Sequence, residues 1–131
     1  MQKRLNTIIL LDDNLATNFI HKKFIADVDC ADRVLDFQSG KNALAYLGQK
    51  DTPQPELMFV DINMPIMSAW EFLERYQKIE GIDTKKTVIV LLSTSLSPAD
   101  QQKVEKIPII KDIRIKPLSE ETILKVLKKF F

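Results

Sequence analysis

The chain has one cysteine, one histidine and three glycines among 131 residues. Cys30 alone cannot close an internal disulfide, and a lone thiol suits a reducing compartment. One His and one Cys cannot build an imidazole or thiolate metal site, so any metal must be held by oxygen. An excess of charge of one sign is also missing. Nineteen Lys and Arg stand against eighteen Asp and Glu, a formal net charge of +1. Without a basic excess, nucleic acid is not expected as a partner. No apolar run approaches the roughly 20 residues a membrane helix needs. The start, Met1 to Leu5, has the charge of a secretion signal. The apolar run after it, Ile8 to Leu11, is too short for a signal core and meets Asp12-Asp13. A cytoplasmic protein is therefore expected, neither secreted nor membrane-bound.

What is present is an ordinary globular balance, 45% hydrophobic and 28% charged, and a length that suits one domain, 1–131. A chain of this size buries about two-thirds of its unfolded surface, enough for a core without staples.

Two kinds of segment alternate. Short apolar runs occur at Thr7–Leu11, Val34–Phe37, Leu57–Val60, Val88–Leu92 and Ile109–Ile115. Unbroken runs of this length predict strands buried on both faces, the habit of parallel sheets. Amphipathic stretches lie between them. Leu15, Phe19, Ile20 and Phe24 fall on one side of Asn14–Ala26, and Phe72, Leu73, Tyr76 and Ile79 on one side of Ala69–Ile79. Near the end, Ile123, Leu124, Leu127, Phe130 and Phe131 oppose Lys125, Lys128 and Lys129. Ser39, Ser68, Ser97 and Ser119 are placed to cap four helices. The helix at Pro98–Glu105 is the weakest, with few apolar residues to mark an inner face. The polar stretch Gly48–Pro55 reads as a surface loop. The expectation is an α/β protein, βα repeated five times, with helices on both faces of a parallel sheet.

In such folds ligands bind beyond the carboxyl ends of the strands. Asp12, Asp13 and Asn14 follow the first strand. Asp61 ends the third and is followed by Asn63, Met64 and Pro65. Ser93, Thr94 and Ser95 follow the fourth, and Lys116-Pro117 the fifth. Three carboxylates converging on one edge repel one another unless a cation sits among them. A hard divalent ion with oxygen ligands, Mg²⁺ above all, fits that need, and Lys116 adds a second positive charge. A phosphoryl group between them completes the balance, with Asp61 as a candidate nucleophile on phosphorus.

These residues resemble the receiver domain of two-component response regulators. The resemblance runs along essentially the whole chain. It is carried by Leu10-Leu11-Asp12-Asp13-Asn14, by Phe59 through Met67, by Leu91-Leu92-Ser93-Thr94-Ser95 and by Ile115-Lys116-Pro117-Leu118. It implies a flavodoxin-like strand order, 2-1-3-4-5, and a CheY-like signalling role. It implies Mg²⁺ held by Asp12, Asp13, Asp61 and the backbone carbonyl of Asn63. Asp61 matches the phosphoacceptor, Ser93 the hydroxyl that bonds the phosphoryl oxygen, and Lys116 the lysine that pairs with the phosphate. The Lys116-Pro117 bond is usually cis in the family. Asn63 and Ser95 match positions that tune the phosphoryl lifetime.

The implied donor is a sensor histidine kinase or phosphotransfer protein. The implied output is a contact surface on helix four, strand five and helix five, offered to a further protein by a monomer or weak dimer. No enzymatic role is implied beyond self-phosphorylation and slow autodephosphorylation. About fifteen residues follow Lys116, so a stand-alone or phosphorelay receiver is expected.

Three departures from the family stand out: Ser68-Ala69 replaces Asp-Gly, Thr94 replaces a smaller residue, and Ile113 replaces an aromatic switch. The alternatives are a pseudo-receiver interaction module, a haloacid-dehalogenase-type phosphohydrolase and a flavodoxin-like cofactor binder. The phosphohydrolase would want an acid where Asn63 stands, and the cofactor binder a phosphate loop where the two aspartates stand. His21, between Ile20 and Lys22, is expected on the surface. Trp70 is expected near the surface at the start of helix three. Phe130-Phe131 reads as core closure or a cut end.

Overall fold

The computed structural model describes residues 4–131. Of the start weighed above as signal-like charge, Met1–Lys3 lie outside them. Five strands alternate with five helices: β1 Leu5–Leu11, α1 Leu15–Val28, β2 Ala31–Phe37, α2 Gly40–Leu47, β3 Leu57–Asp61, α3 Ala69–Gln77, β4 Val88–Ser93, α4 Pro98–Glu105, β5 Ile110–Ile115 and α5 Glu120–Phe130. All pairings are parallel and the order is β2-β1-β3-β4-β5. The expected fold class and strand order are those observed. A short 3-10 turn at Thr84–Lys86 was not anticipated.

Side-chain alternation divides the core in two. Ile9, Leu11, Met58, Val60, Ile89 and Leu91 face α2 and α3, where Phe72, Leu73 and Tyr76 are fully buried. Ile8, Leu10, Leu57, Phe59, Val90 and Leu92 face α1 and α5, packing on Ile25, Ile123, Val126 and Leu127. Strands β1, β3 and β4 match the doubly buried expectation. β2 and β5 do not. They are the sheet edges, and most of their residues are partly or fully exposed.

The four serines cap as expected, accepting from the amides of Asn42, Glu71, Asp100 and Thr122. α4 has no buried residue, in line with its weak pattern. Two helix faces differ from expectation. On α5, Val126 is buried where Leu124 was expected; Leu124 is half exposed, while Phe130 and Phe131 pack against the core.

On α1 most of the expected apolar face points outward, with Leu15 64% and Phe19 71% exposed and Ile20 also exposed, while Phe24 packs against the core as expected. Its inner stripe is Asn18, His21 and Ile25. The surface placement of His21 is thus overturned: the ring is 1% exposed. Hydropathy misled because two polar side chains occupy the inward stripe, and each finds a backbone partner there.

Candidate functional site

The strand register brings the acidic residues together. Leu11 pairs with Val60, so Asp12 and Asp61 end adjacent strands in the same row. Asp61 pairs with Leu92, and Ser93 with Ile115, which puts Lys116 one step beyond the edge strand. Lys116 shares the alternation of Asp112 and Arg114, so its side chain leaves the strand on the α1/α5 side and reaches back over the sheet end. Its Nζ lies 2.7 Å from Asp12 Oδ2 and 3.5 Å from Asp61 Oδ1. Oxygens of Asp12, Asp13 and Asp61 lie within 4.8 Å of one another. Asp12 and Asp61 are buried, and Asp13 is exposed. This is a cluster of hard oxygen donors that can hold a metal ion, open on the Asp13 side.

Simple helix capping does not account for the acidic pair. Asn14 caps α1, accepting from the Thr17 amide, and Asp12 Oδ1 accepts from the Asn14 amide at 2.9 Å. Asp61 Oδ1 accepts from the Asn63 amide at 3.3 Å, which fixes the start of the loop into α3. Burial pushes the Asp61 carboxyl above its ordinary value; the charge of Asp12 adds to the shift, and Asn63 and Lys116 oppose it. Burial alone lowers the Lys116 ammonium, but its bond to Asp12 and the charges of Asp12 and Asp61 outweigh it, so Lys116 is held above its ordinary value.

Ser93 is fully buried at the end of β4. Its Oγ accepts from the amides of Ser95 and Leu96, both at 3.2 Å. Both lone pairs are engaged by the turn, which leaves the hydroxyl proton as a donor. Leu96 has φ +49°, a left-handed conformation uncommon for a bulky residue. Gln101 donates to the Leu96 carbonyl at 2.6 Å. Thr94, Ser95 and Asn63 are exposed around the site, and Ala69 is buried at the first turn of α3. Ile113 is half-buried and packs on the α2/α3 core. The Lys116-Pro117 bond is cis, as the resemblance implied. Trp70 is partly exposed, with Lys103 of α4 4.4 Å above its ring.

Two residues at the site escaped the sequence reading. His21 Nε2 accepts from the Leu118 amide at 3.0 Å. Asn18 Nδ2 donates to the carbonyls of Asp12 and Phe37 at 2.9 and 3.2 Å, while its Oδ1 is buried without a partner. A signal existed: positions 18, 21, 25 and 28 keep the 3-4-3 spacing of a buried helix stripe, with polar residues at the end nearer the site.

The family model described as "Response regulator receiver domain" matches residues 8–128. Among solved structures, a two-component response regulator from Cytophaga hutchinsonii superposes with a TM-score of 0.89 at 25% identity, over 98% of both chains. The chemotaxis protein CheY4 of Vibrio cholerae superposes with a TM-score of 0.76 at 24% identity, over 97% of this chain and 99% of that one, a likeness of fold. The hybrid signal transduction histidine kinase D of Dictyostelium discoideum is 32% identical over 101 residues, 76% of this chain. Kinase L of the same organism is 27% identical over 130 residues, 98% of this chain. The chain spans only 6% and 7% of the length of these two kinases.

Proposed function

The chain belongs to the response regulator receiver family, and from that premise we propose that it is a phosphoacceptor switch whose acceptor is Asp61. Receiver domains interact with histidine kinases or phosphotransfer proteins and are generally signalling modules, not enzymes. The donor in this reading is a phosphohistidine. An Asp61 oxygen attacks phosphorus, the P–N bond breaks, its electron pair stays on the imidazole nitrogen, and Asp61 becomes an acyl phosphate.

The observation that carries the reading is the position of Lys116 Nζ between two buried carboxylates that close on a third. Receiver domains bind Mg²⁺ at an acidic pocket; Asp12, Asp13 and Asp61 offer oxygens for such an ion, and the Asn63 carbonyl is a further ligand in this reading. When bound it neutralises charge on the transferring phosphoryl oxygens. Lys116 takes one of those oxygens, and the Ser93 hydroxyl donates to another. The whole described chain, from β1 to α5, serves as this one receiver domain.

The donor docks on α1. That helix starts directly after Asp12-Asp13 and turns Leu15, Phe19 and Ile20 to solvent. These apolar side chains at helical spacing beside the acceptor suit a helical partner that carries the phosphohistidine. Output runs through the loop after β4. When Ser93 Oγ moves toward the phosphoryl group to donate its proton, its bonds from the Ser95 and Leu96 amides lengthen and the turn that presents Leu96 loosens. α4 can then shift, since none of its residues is fully buried, although Val104 packs against the core. With Ile113 in place of an aromatic, no ring flip is needed for this readout.

Incubation with Mg²⁺ and acetyl phosphate tests the assignment by intact mass. The expected result is one phosphoryl added to the wild-type chain and none to Asp61→Asn. Equal labelling of the variant refutes it.

A further inference from the structure

Outside the carboxylate cluster, two buried polar side chains lie on the inner face of α1 beside the site. His21 and Asn18 lie one turn apart, and neither is used by the chemistry above. Their partners flank the reacting groups. Asn18 holds the carbonyl of Asp12 itself, together with that of Phe37 at the end of β2. His21 holds the amide of Leu118, two residues after Lys116. The ring is close enough to feel the charges of both Asp12 and Lys116.

We infer that His21 is a positioning residue for the phosphoacceptor site: by accepting the Leu118 amide proton it fixes the turn after β5, so that Lys116 lies between Asp12 and Asp61. This inference rests on the receiver reading of Asp61. The geometry requires an acceptor at Nε2. The Leu118 amide points into the protein beneath α1, and Leu118 is fully buried, so water cannot replace the ring. The Lys116 backbone is tied on its other side, where its amide donates to the Ser93 carbonyl at 2.8 Å. Lys116 is therefore held between an anchor on β4 and an anchor on α1. Losing the α1 anchor frees the Pro117-Leu118 segment, while the sheet stays intact. α1 carries both the exposed donor-docking face and this buried anchor, so a partner that shifts the helix also shifts Lys116.

The test compares His21→Gln, whose side-chain oxygen reaches about as far as Nε2, with His21→Met, of similar size but without an acceptor. His21→Asn, one carbon shorter, replaces the Met variant should that one not fold. The readouts are the Mg²⁺-dependent rate of phosphoryl uptake from acetyl phosphate and the hydrogen exchange of the Leu118 amide. His21→Met is expected to slow uptake at least about fivefold and to expose the Leu118 amide. His21→Gln is expected to restore both to within about twofold of wild type. In a Lys116→Gln background, His21→Met is expected to slow uptake no further, because its effect passes through Lys116.

Uptake by a folded His21→Met protein at the wild-type rate overturns the inference, as do effects of His21→Met and Lys116→Gln that multiply. Leu118 exchange needs no phosphorylation. If the wild-type chain takes up no phosphoryl at all, the receiver reading of Asp61 fails, and unchanged Leu118 protection still decides against the anchor on its own.

Discussion

Asp61→Asn is expected to make the metal-free protein more stable, although it removes a partner of Lys116. Three electrostatic contributions bear on the Asp61 charge. At 4.8 Å or less from Asp12, with an effective dielectric of about 20, the repulsion is about 3.5 kcal/mol. Asp13 is exposed, so at the dielectric of water the same distance gives about 0.9 kcal/mol. Lys116 at 3.5 Å returns an attraction of about 4.7 kcal/mol at a dielectric of about 20. Attraction and repulsion nearly cancel, so burial decides. A carboxylate that is 3% exposed has lost most of its hydration, and a neutral amide of the same shape does not bear that cost. Lys116 keeps its 2.7 Å contact with Asp12 in the variant, so no buried cation is orphaned.

The pH dependence has a definite sign. Burial holds the Asp61 carboxyl above 3.8, its ordinary value. The folded chain therefore binds that proton more tightly than the unfolded chain does. Wild-type stability falls relative to the variant as pH climbs past the ordinary value. The gain should grow as pH climbs above 3.8 and vanish below it. A gain of about 1 kcal/mol moves the melting midpoint of a chain this long by roughly 3–5 °C.

Thermal unfolding in chelator, from pH 3 to 8, measures this, and the same series in Mg²⁺ should reverse the order. At one hundred times its dissociation constant a bound ion stabilises by about 2.7 kcal/mol, and the variant, lacking one ligand, should gain less. A variant that melts below wild type in chelator at pH 7 would show that the Lys116 attraction outweighs burial, and the reasoning would fail.

Asn18→Leu leaves the Asp12 and Phe37 carbonyls short of a buried donor and should cost about 1–3 kcal/mol by denaturant unfolding. Burial holds His21 below its ordinary 6.5. Its contribution is therefore complete above pH 6.5 and lost as pH falls through the folded value; His21→Gln should flatten that limb of the stability curve. At Gly40 an added Cβ would meet Met67 Sδ at 2.6 Å. Gly40→Ala should cost on the order of 1 kcal/mol, and Met67→Ala in the same chain should remove most of that cost. Phe19→Glu should leave labelling by acetyl phosphate unchanged while lowering transfer from a phosphohistidine protein at least tenfold; equal losses with both donors would refute α1 as the docking face.

The sheet was legible because three of its strands are buried on both faces, and unbroken apolar runs leave little choice of reading. The acidic cluster was legible for a related reason. Residues just past strand ends in a parallel α/β fold must share an edge, so the chain order alone places Asp12, Asp61, Ser93 and Lys116 together. The edge strands were less legible, since β2 and β5 have one flank without a neighbour. Hydropathy cannot tell an edge from a centre when the run is short.

α1 is the element whose inner face hydropathy does not give. Hydropathy assigns a helix's inner face by the transfer cost of its side chains, on the assumption that polar groups avoid burial. Asn18 and His21 break that assumption because the ends of β1, β2 and β5 present backbone carbonyls and an amide that need partners beneath the helix. Burying two polar side chains satisfies them, and Leu15, Phe19 and Ile20 are thereby displaced to the outer face. The exposed Leu15 and Phe19 and the buried His21 are then two aspects of one arrangement. On the proposed receiver reading, a helix set to serve the backbone beside the acidic cluster leaves its apolar side open to the phosphoryl donor. Restoring an ordinary amphipathic α1, with Asn18 and His21 apolar and Leu15 and Phe19 polar, should therefore give a chain that folds but loses both its acceptor geometry and its docking face.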